Sequence, residues 1–343
     1  MPELRYDPLQ HRWVIISSER AARPSDLHDS TKYNSVKTCP FCEGFESTTP
    51  PEIWSIREPN TSPNKPGWKV RIVPNKFPAL RIEAGGKRLG IGLYDKIEGL
   101  GAHEVIIETP QHDASLPDLP PEQVKWVLLG FRERLKDLYK DTRFKYVLIF
   151  KNHGLPAGAS LAHPHSQLIA TPIVPRNVNI KLMAAKNHFE KKERCLVCDL
   201  IQQEISTNVR VISAENGFVA FAPYASRFPF ELFIAPIEHN YSFAELTDDE
   251  LERFAHFLKN ILFRLKQVLH DPPYNYVLNT SPNIEAKPKF SDQWVTIKYD
   301  YHWHIEVIPR LVRIAGFEWG SGFYINPSTP EMAAQYLREM RSE

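Results

Sequence analysis

The chain is expected to fold as an α+β protein in which one unit, strands plus an amphipathic helix, occurs twice. Three observations carry that expectation. The four cysteines form two Cys-x-x-Cys pairs, Cys39/Cys42 and Cys195/Cys198. Each pair is followed by a β-rich run ending at a histidine, His112 or His239, and then by an amphipathic helix pattern. Each helix leads into a strand and then a histidine pair at alternate positions, His163/His165 and His302/His304. The order Cys-x-x-Cys, His, helix, strand, His-x-His thus runs twice, which reads as a tandem duplication with its seam near "KKERCLVC". The expected halves are 1–183 and 184–343.

The bulk numbers narrow the function classes. A chain of 343 residues, 42% apolar and 24% charged, can bury one large core or two ordinary ones. With 42 basic and 41 acidic residues the net charge is +1, so no basic stripe for nucleic acid is expected. No apolar run approaches the roughly 18 residues of a membrane span, and "MPELRYDPLQHRWVII" has no signal core. The expected setting is the cytoplasm, without nucleic acid or membrane partners.

The elements follow in order. After "VRIVPNKFPAL" comes the β-run "HEVIIETPQH", closing at His112. "LPPEQ" then starts a helix with proline in its first turn. Val124, Val127, Leu128, Phe131, Leu135 and Leu138 recur on one face of that helix. "KYVLIF" from Lys145 is the next strand. The glycine-containing loop "FKNHGLPAGAS" leads to "HPHSQ". "VPRNVNIKLMAAKNHFEKKER" is expected to be a helix bridging the halves. The second copy runs from "FELFIAPIEH" to a capping box, Thr247-x-x-Glu250. Its helix carries Leu251, Phe254, Leu258, Ile261, Leu265 and Leu269, followed by the strand "NYVLNT" and by "YHWHIEVIP".

The repeat also assigns ligands. The chain is too long and too poor in cysteine for a disulfide scaffold, and two Cys-x-x-Cys pairs with downstream histidines read better as metal sites than as redox pairs or inert thiols. Tetrahedral Zn2+ takes four N or S donors, commonly Cys2His2. The first set is Cys39, Cys42, His112 and His163; the second is Cys195, Cys198, His239 and His302, with His304 as the alternative to His302. About two Zn2+ ions per chain are expected. His165 and His304 are left over. In an extended segment, residues i and i+2 share a face, so His165 lies beside an anchored neighbour. A rigidly held, neutral imidazole suits nucleophilic attack on phosphorus. The plainer reading is a structural histidine in a polar strand. Gln167 on the same face and the loop glycines Gly154 and Gly158, with Asn152 and Ser160, favour a phosphate site.

"NHGLPAGASLAHPHSQ" resembles the active-site signature of the galactose-1-phosphate uridylyltransferases, the transferase branch of the histidine-triad superfamily. There the motif is His-Pro-His-x-Gln, and hydrolases carry a third histidine where Gln167 stands. "RWVIISSERAARP", "VRIVPNKFPAL" and "AGFEWGSGFYINP" resemble further family segments, so the likeness covers nearly the whole chain. It implies two histidine-triad-like halves, each an antiparallel sheet with a packed helix. It implies that His165 takes a nucleoside monophosphate from a nucleotide sugar and that Gln167 steadies the adduct. Arg20, Arg23, Asn75 and Phe77 would line the nucleotide pocket, while Asn152, Gly158 and Ser160 would serve the phosphates. Glu318 and Tyr324 would face the hexose, in part across a homodimer. For Arg20 and Arg23 the plain alternative is solvated surface charge; for Glu318 it is a pair with Arg313.

The family activity is exchange of hexose 1-phosphates on UDP: UDP-glucose and galactose 1-phosphate give glucose 1-phosphate and UDP-galactose. One departure stands out. The stretch "VPRNVNIKL" lacks the metal-site carboxylate of some transferases, and the second half carries Cys-x-x-Cys instead. That pattern resembles two-zinc, plant-type relatives that act as ADP-glucose phosphorylases. A third reading, a zinc-stabilised nucleotide-binding module without turnover, has no use for an unliganded His165.

Overall fold

The protein is described from a computed structural model covering residues 1–17, 39–286 and 294–340. The strands are β1 (Glu3–Asp7), β2 (Arg12–Ile16), β3 (Trp54–Arg57), β4 (Trp68–Pro74), β5 (Arg88–Ile91), β6 (Tyr94–Ile97), β7 (Ala102–Ile107), β8 (Tyr146–His153), β9 (His165–Thr171), β10 (Val211–Glu215), β11 (Phe218–Phe221), β12 (Leu232–Pro236), β13 (Tyr274–Asn279), β14 (His304–Pro309) and β15 (Tyr324–Asn326). The helices are α1 (Pro121–Leu138), α2 (Arg176–Lys192), α3 (Leu196–Thr207), α4 (Asp248–Leu269), α5 (Ile297–Asp300), α6 (Gly316–Ser321) and α7 (Pro330–Glu339). None of the described helices is long and apolar enough to cross a membrane.

The two long helices form where the 3.6-residue periodicity lies. Every apolar position expected on the inner face of α1 and α4 is buried. Pro121 opens α1, where its missing N–H is harmless. At α4 the capping box forms: Thr247 accepts from the Glu250 N–H at 3.2 Å, and Glu250 accepts from the Thr247 N–H at 2.7 Å. The bridging segment is helical as expected, as α2, and residues 183 and 184 lie inside it.

Ten strands form one sheet in the order β10-β11-β12-β14-β13-β8-β9-β7-β4-β3, antiparallel throughout. Five come from residues 54–171 and five from 211–309, in mirrored order, and β8 pairs with β13 at the join. One face of the sheet packs on α1 and α4. Val70, Ile72, Val147, Ile149, Leu168, Leu278 and Ile305 are buried there with the helix side chains. The register puts His165, Gln167, His304 and Glu306 on the opposite face. Over part of that face lies α2, with Val178, Leu182 and Ala185 against Tyr146 and Leu148. A small sheet, β1-β2-β15, joins the N-terminal segment to the C-terminal one.

Candidate active site

Both cysteine-histidine sets assemble. In each, the four donor atoms lie within 4.8 Å of one another. Cys42 Sγ is 3.3 Å from His112 Nδ1 and 3.6 Å from His163 Nδ1. Cys198 Sγ is 3.4 Å from both His239 Nδ1 and His302 Nδ1. Tetrahedral zinc with its usual bond lengths sets S···N at about 3.6 Å, so the residues fit that ion. The nitrogen turned toward the cysteine sulfur is Nδ1 in each of these histidines. The far nitrogen of three of them donates to a backbone carbonyl: His163 to Thr109 at 2.8 Å, His239 to Lys298 at 3.0 Å and His302 to Pro236 at 3.1 Å. Such outer bonds fix the ring and its tautomer. His302, not His304, joins the second set.

His165 begins β9, where the strand's pairing with β7 fixes it opposite Ile107. Its Nδ1–H donates to the His163 carbonyl at 2.7 Å, which leaves Nε2 with the lone pair. Burial is the main cause holding its imidazole below the usual histidine range, so the ring is neutral at pH 7. A cavity of about 360 Å³ opens in front of it. Gln167, Ser160, Asn75 and Phe77 line that cavity with His165, four of the residues expected at the nucleotide or phosphates. Asn152 and Gly158 do not line the cavity. Asn152 Nδ2 donates to the Gly158 carbonyl at 3.4 Å. Gly158 closes the turn Leu155–Ala157 at φ +91°, a left-handed conformation that a side chain would strain.

Beneath β9, on the helix side, lies a buried polar network. Lys151 Nζ donates to Glu108 at 2.6 Å and to the His165 carbonyl at 3.2 Å. Ser166 Oγ donates to the other Glu108 oxygen at 2.6 Å and accepts from the Tyr276 hydroxyl at 2.7 Å. The backbone that carries the histidine is thus held from below.

The second half repeats the motif but closes it. His304 Nδ1–H donates to the His302 carbonyl at 3.0 Å, as in the first half. Its ring, however, is fully buried, stacked on Phe233 at 4.5 Å, with Lys181 Nζ 3.3 Å from its Nε2. Lys181 is itself tied to Glu306 at 2.6 Å and Asn279 at 2.9 Å. Helix α2 has plugged the counterpart of the open site.

Glu318 and Tyr324 do not line the cavity of their own chain. Glu318 accepts the Ala315 N–H at 3.0 Å at the start of α6, and Tyr324 packs on Phe228 under Arg12. Arg20 and Arg23 lie outside the described residues. Three residues escaped the sequence reading. Phe41, between the first two cysteines, sets its ring 5.3 Å from that of His165 and walls the cavity. Asn275 reaches from the second half to Asn152 Oδ1 and the Ala157 carbonyl, both at 2.8 Å. His103 contacts Gln167. Phe41 had a local signal in its place between two ligands; the other two depend on strand register.

Comparison with known proteins sets the chain among the nucleotidyltransferases. Residues 1–175 match the family model "Galactose-1-phosphate uridyl transferase, N-terminal domain", and residues 103–342 match a domain of unknown function, DUF4921. The chain belongs to the galactose-1-phosphate uridylyltransferase family. It is 36% identical to an ADP-glucose phosphorylase of Arabidopsis thaliana, over 99% of this chain and 93% of that one. It is 29% identical to the galactose-1-phosphate uridylyltransferase of Thermotoga maritima, over the full length of both. The crystal structure of an Arabidopsis thaliana ADP-glucose phosphorylase with bound ADP-glucose superposes with a TM-score of 0.82, at 34% identity and full coverage of both chains. A uridylyltransferase structure gives 0.74 at 30%, covering 99% and 98%.

Proposed function

We propose that the protein is a nucleotide-sugar phosphorylase of the ADP-glucose type, working through a covalent nucleotidyl-histidine. The observation that carries the covalent route is the free Nε2 of His165 at the cavity, its other nitrogen tied to the His163 carbonyl. Nε2 attacks the α-phosphorus, the N–P bond forms, and the bond to the hexose 1-phosphate oxygen breaks. The leaving group is a phosphate ester that departs as an anion and needs no proton, so an amide at Gln167 suffices where a general acid would otherwise stand. The other proton stays on His165 Nδ1, hydrogen-bonded to the His163 carbonyl, throughout. In the second half-reaction an oxygen of inorganic phosphate attacks phosphorus and the N–P bond breaks, giving nucleoside diphosphate and restoring the neutral ring. Gln167, Ser160 and Asn75 supply donors for the phosphoryl oxygens in both steps. Cys39, Cys42, His112 and His163 would hold a structural zinc, which would fix the segments carrying His163 and Phe41.

ADP and phosphate are favoured over UDP and hexose phosphate by the second Cys2His2 set and by the 36% identity to a phosphorylase. The exchange of hexose 1-phosphates on UDP is the second reading, favoured by the family model over residues 1–175. In either case Glu318 and Tyr324 would serve the hexose of a partner subunit in a homodimer, and the exposed Phe317 and Trp319 beside Glu318 support a covered surface there. Pure protein is incubated with ADP-glucose plus phosphate, and separately with UDP-glucose plus galactose 1-phosphate. ADP and glucose 1-phosphate are expected from the first. Faster formation of UDP-galactose in the second would give the function to the uridylyltransferase reading, and no turnover in either would reject both.

A further inference from the structure

We infer that His103 is a positioning residue that decides which end of the Gln167 amide meets the reacting phosphoryl group, an inference that rests on the nucleotidyl-transfer reading. In the β7–β9 pairing Val105 lies opposite Gln167, so His103 is the diagonal neighbour of Gln167 on the cavity face of the sheet. Its ring is engaged at both nitrogens. The Ala79 backbone N–H donates to Nδ1 at 3.1 Å. A backbone N–H can only donate, so Nδ1 carries no proton and the neutral ring is protonated at Nε2. Nε2 lies 2.9 Å from Gln167 Oε1 and donates to it.

An amide has a donor end and an acceptor end that look alike in shape. The fixed Nε2–H of His103 accepts only one arrangement, with Oε1 toward the imidazole and the NH2 left for the ligand. Phosphoryl oxygens are acceptors, so the reversed amide would set oxygen against oxygen. Asn75 is oriented by a different contact: its Oδ1 accepts the Phe77 N–H at 2.9 Å. The imidazole therefore leaves the donor end of Gln167 to the substrate. This orientation exists before substrate arrives, and preorganised donors are what favour a charged transition state.

The test uses the metal-loaded full chain as wild type, His103→Leu and His103→Gln, and rapid-quench labelling from ADP-glucose or UDP-glucose carrying label in the α-phosphate. His103→Leu should slow formation of the nucleotidyl-enzyme about 10–100-fold, less than the roughly 100–1000-fold of deleting such a donor outright. His103→Gln, whose amide N–H can reach Oε1, should recover most of that loss. In a Gln167→Ala background His103→Leu should have little further effect. In ¹⁵N NMR of the histidine side chains, His103 should be protonated at Nε2 and bare at Nδ1, whether or not the protein turns over. Adduct formation by His103→Leu at the wild-type rate, an undiminished effect in Gln167→Ala, or a proton on Nδ1 would each overturn the inference. If wild type forms no adduct from either sugar nucleotide, the proposed function fails, while the tautomer still tests His103 by itself.

Discussion

Replacing Glu108 by leucine should destabilise the protein by about 3–5 kcal/mol, the usual effect of stranding one member of a buried ion pair. The structure makes the assignment direct. The Glu108 side chain is fully enclosed and that of Lys151 is 1% exposed, with 2.6 Å between them, so water cannot replace the missing partner. Lys151 would keep one acceptor, the His165 carbonyl, and Ser166 would lose the carboxylate that now accepts its proton. Lys151→Met should do comparable harm from the other side. The double variant should be far less damaged than the sum, because no charge is then left buried. Urea unfolding followed by fluorescence measures this; with a slope near 3 kcal/mol/M, each single variant should unfold about 1–1.7 M earlier. A loss below about 1 kcal/mol in either single variant, or a double variant equal to the sum, would refute the reasoning.

His165→Ala should abolish adduct formation while zinc content and unfolding midpoint stay near wild type, because its ring is not a metal ligand; labelling and metal analysis check this. Metal analysis of the wild type should find about two zinc ions per chain. Cys195→Ser should retain about one and lower stability by several kcal/mol, with a smaller loss of catalysis than of stability. Glu52 yields a pH signature: burial opposes its charge, but hydrogen bonds from Arg57 and Arg71 prevail and hold the carboxyl down to about 2. Since the unfolded value is about 4.3, its contribution is complete above about pH 5 and is lost as pH falls toward 2. Glu52→Gln should therefore weaken the protein at pH 7 and flatten the acid side of its stability profile in melts between pH 3 and 7.

What could be read from the sequence was local. The faces of α1 and α4 and the Thr247–Glu250 box depend on residues within a few turns, and both came out as expected. The metal sets were legible because cysteine and histidine spacing repeats, and their outer hydrogen bonds to Thr109, Pro236 and Lys298 were not, since any carbonyl looks like any other in sequence. The joining of the halves through β8 and β13 depends on partners more than 100 residues apart, as with Asn152 and Asn275. His103 was missed for the same reason: its meaning appears only once β7 and β9 are in register. His304 lies outside the second cysteine-histidine set, and nothing local announces that Lys181, from a helix outside the repeat, would occupy its Nε2.

The β8–β13 seam makes the two similar halves unequal to two separable proteins. A fragment ending near residue 183 would expose the β8 edge, with 149–153 open to pairing, and would cut α2 in two. The complementary fragment would bare β13 and lose the Lys181 ammonium that balances Glu306. Open strand edges seek other edges, so each piece made alone would tend toward pairing with its own kind. The working site feels this too: Asn275, which holds Asn152 and the Ala157 turn, is donated across the seam. A cut between β9 and β10 should therefore disarm the site even though every residue lining its cavity would stay on one piece.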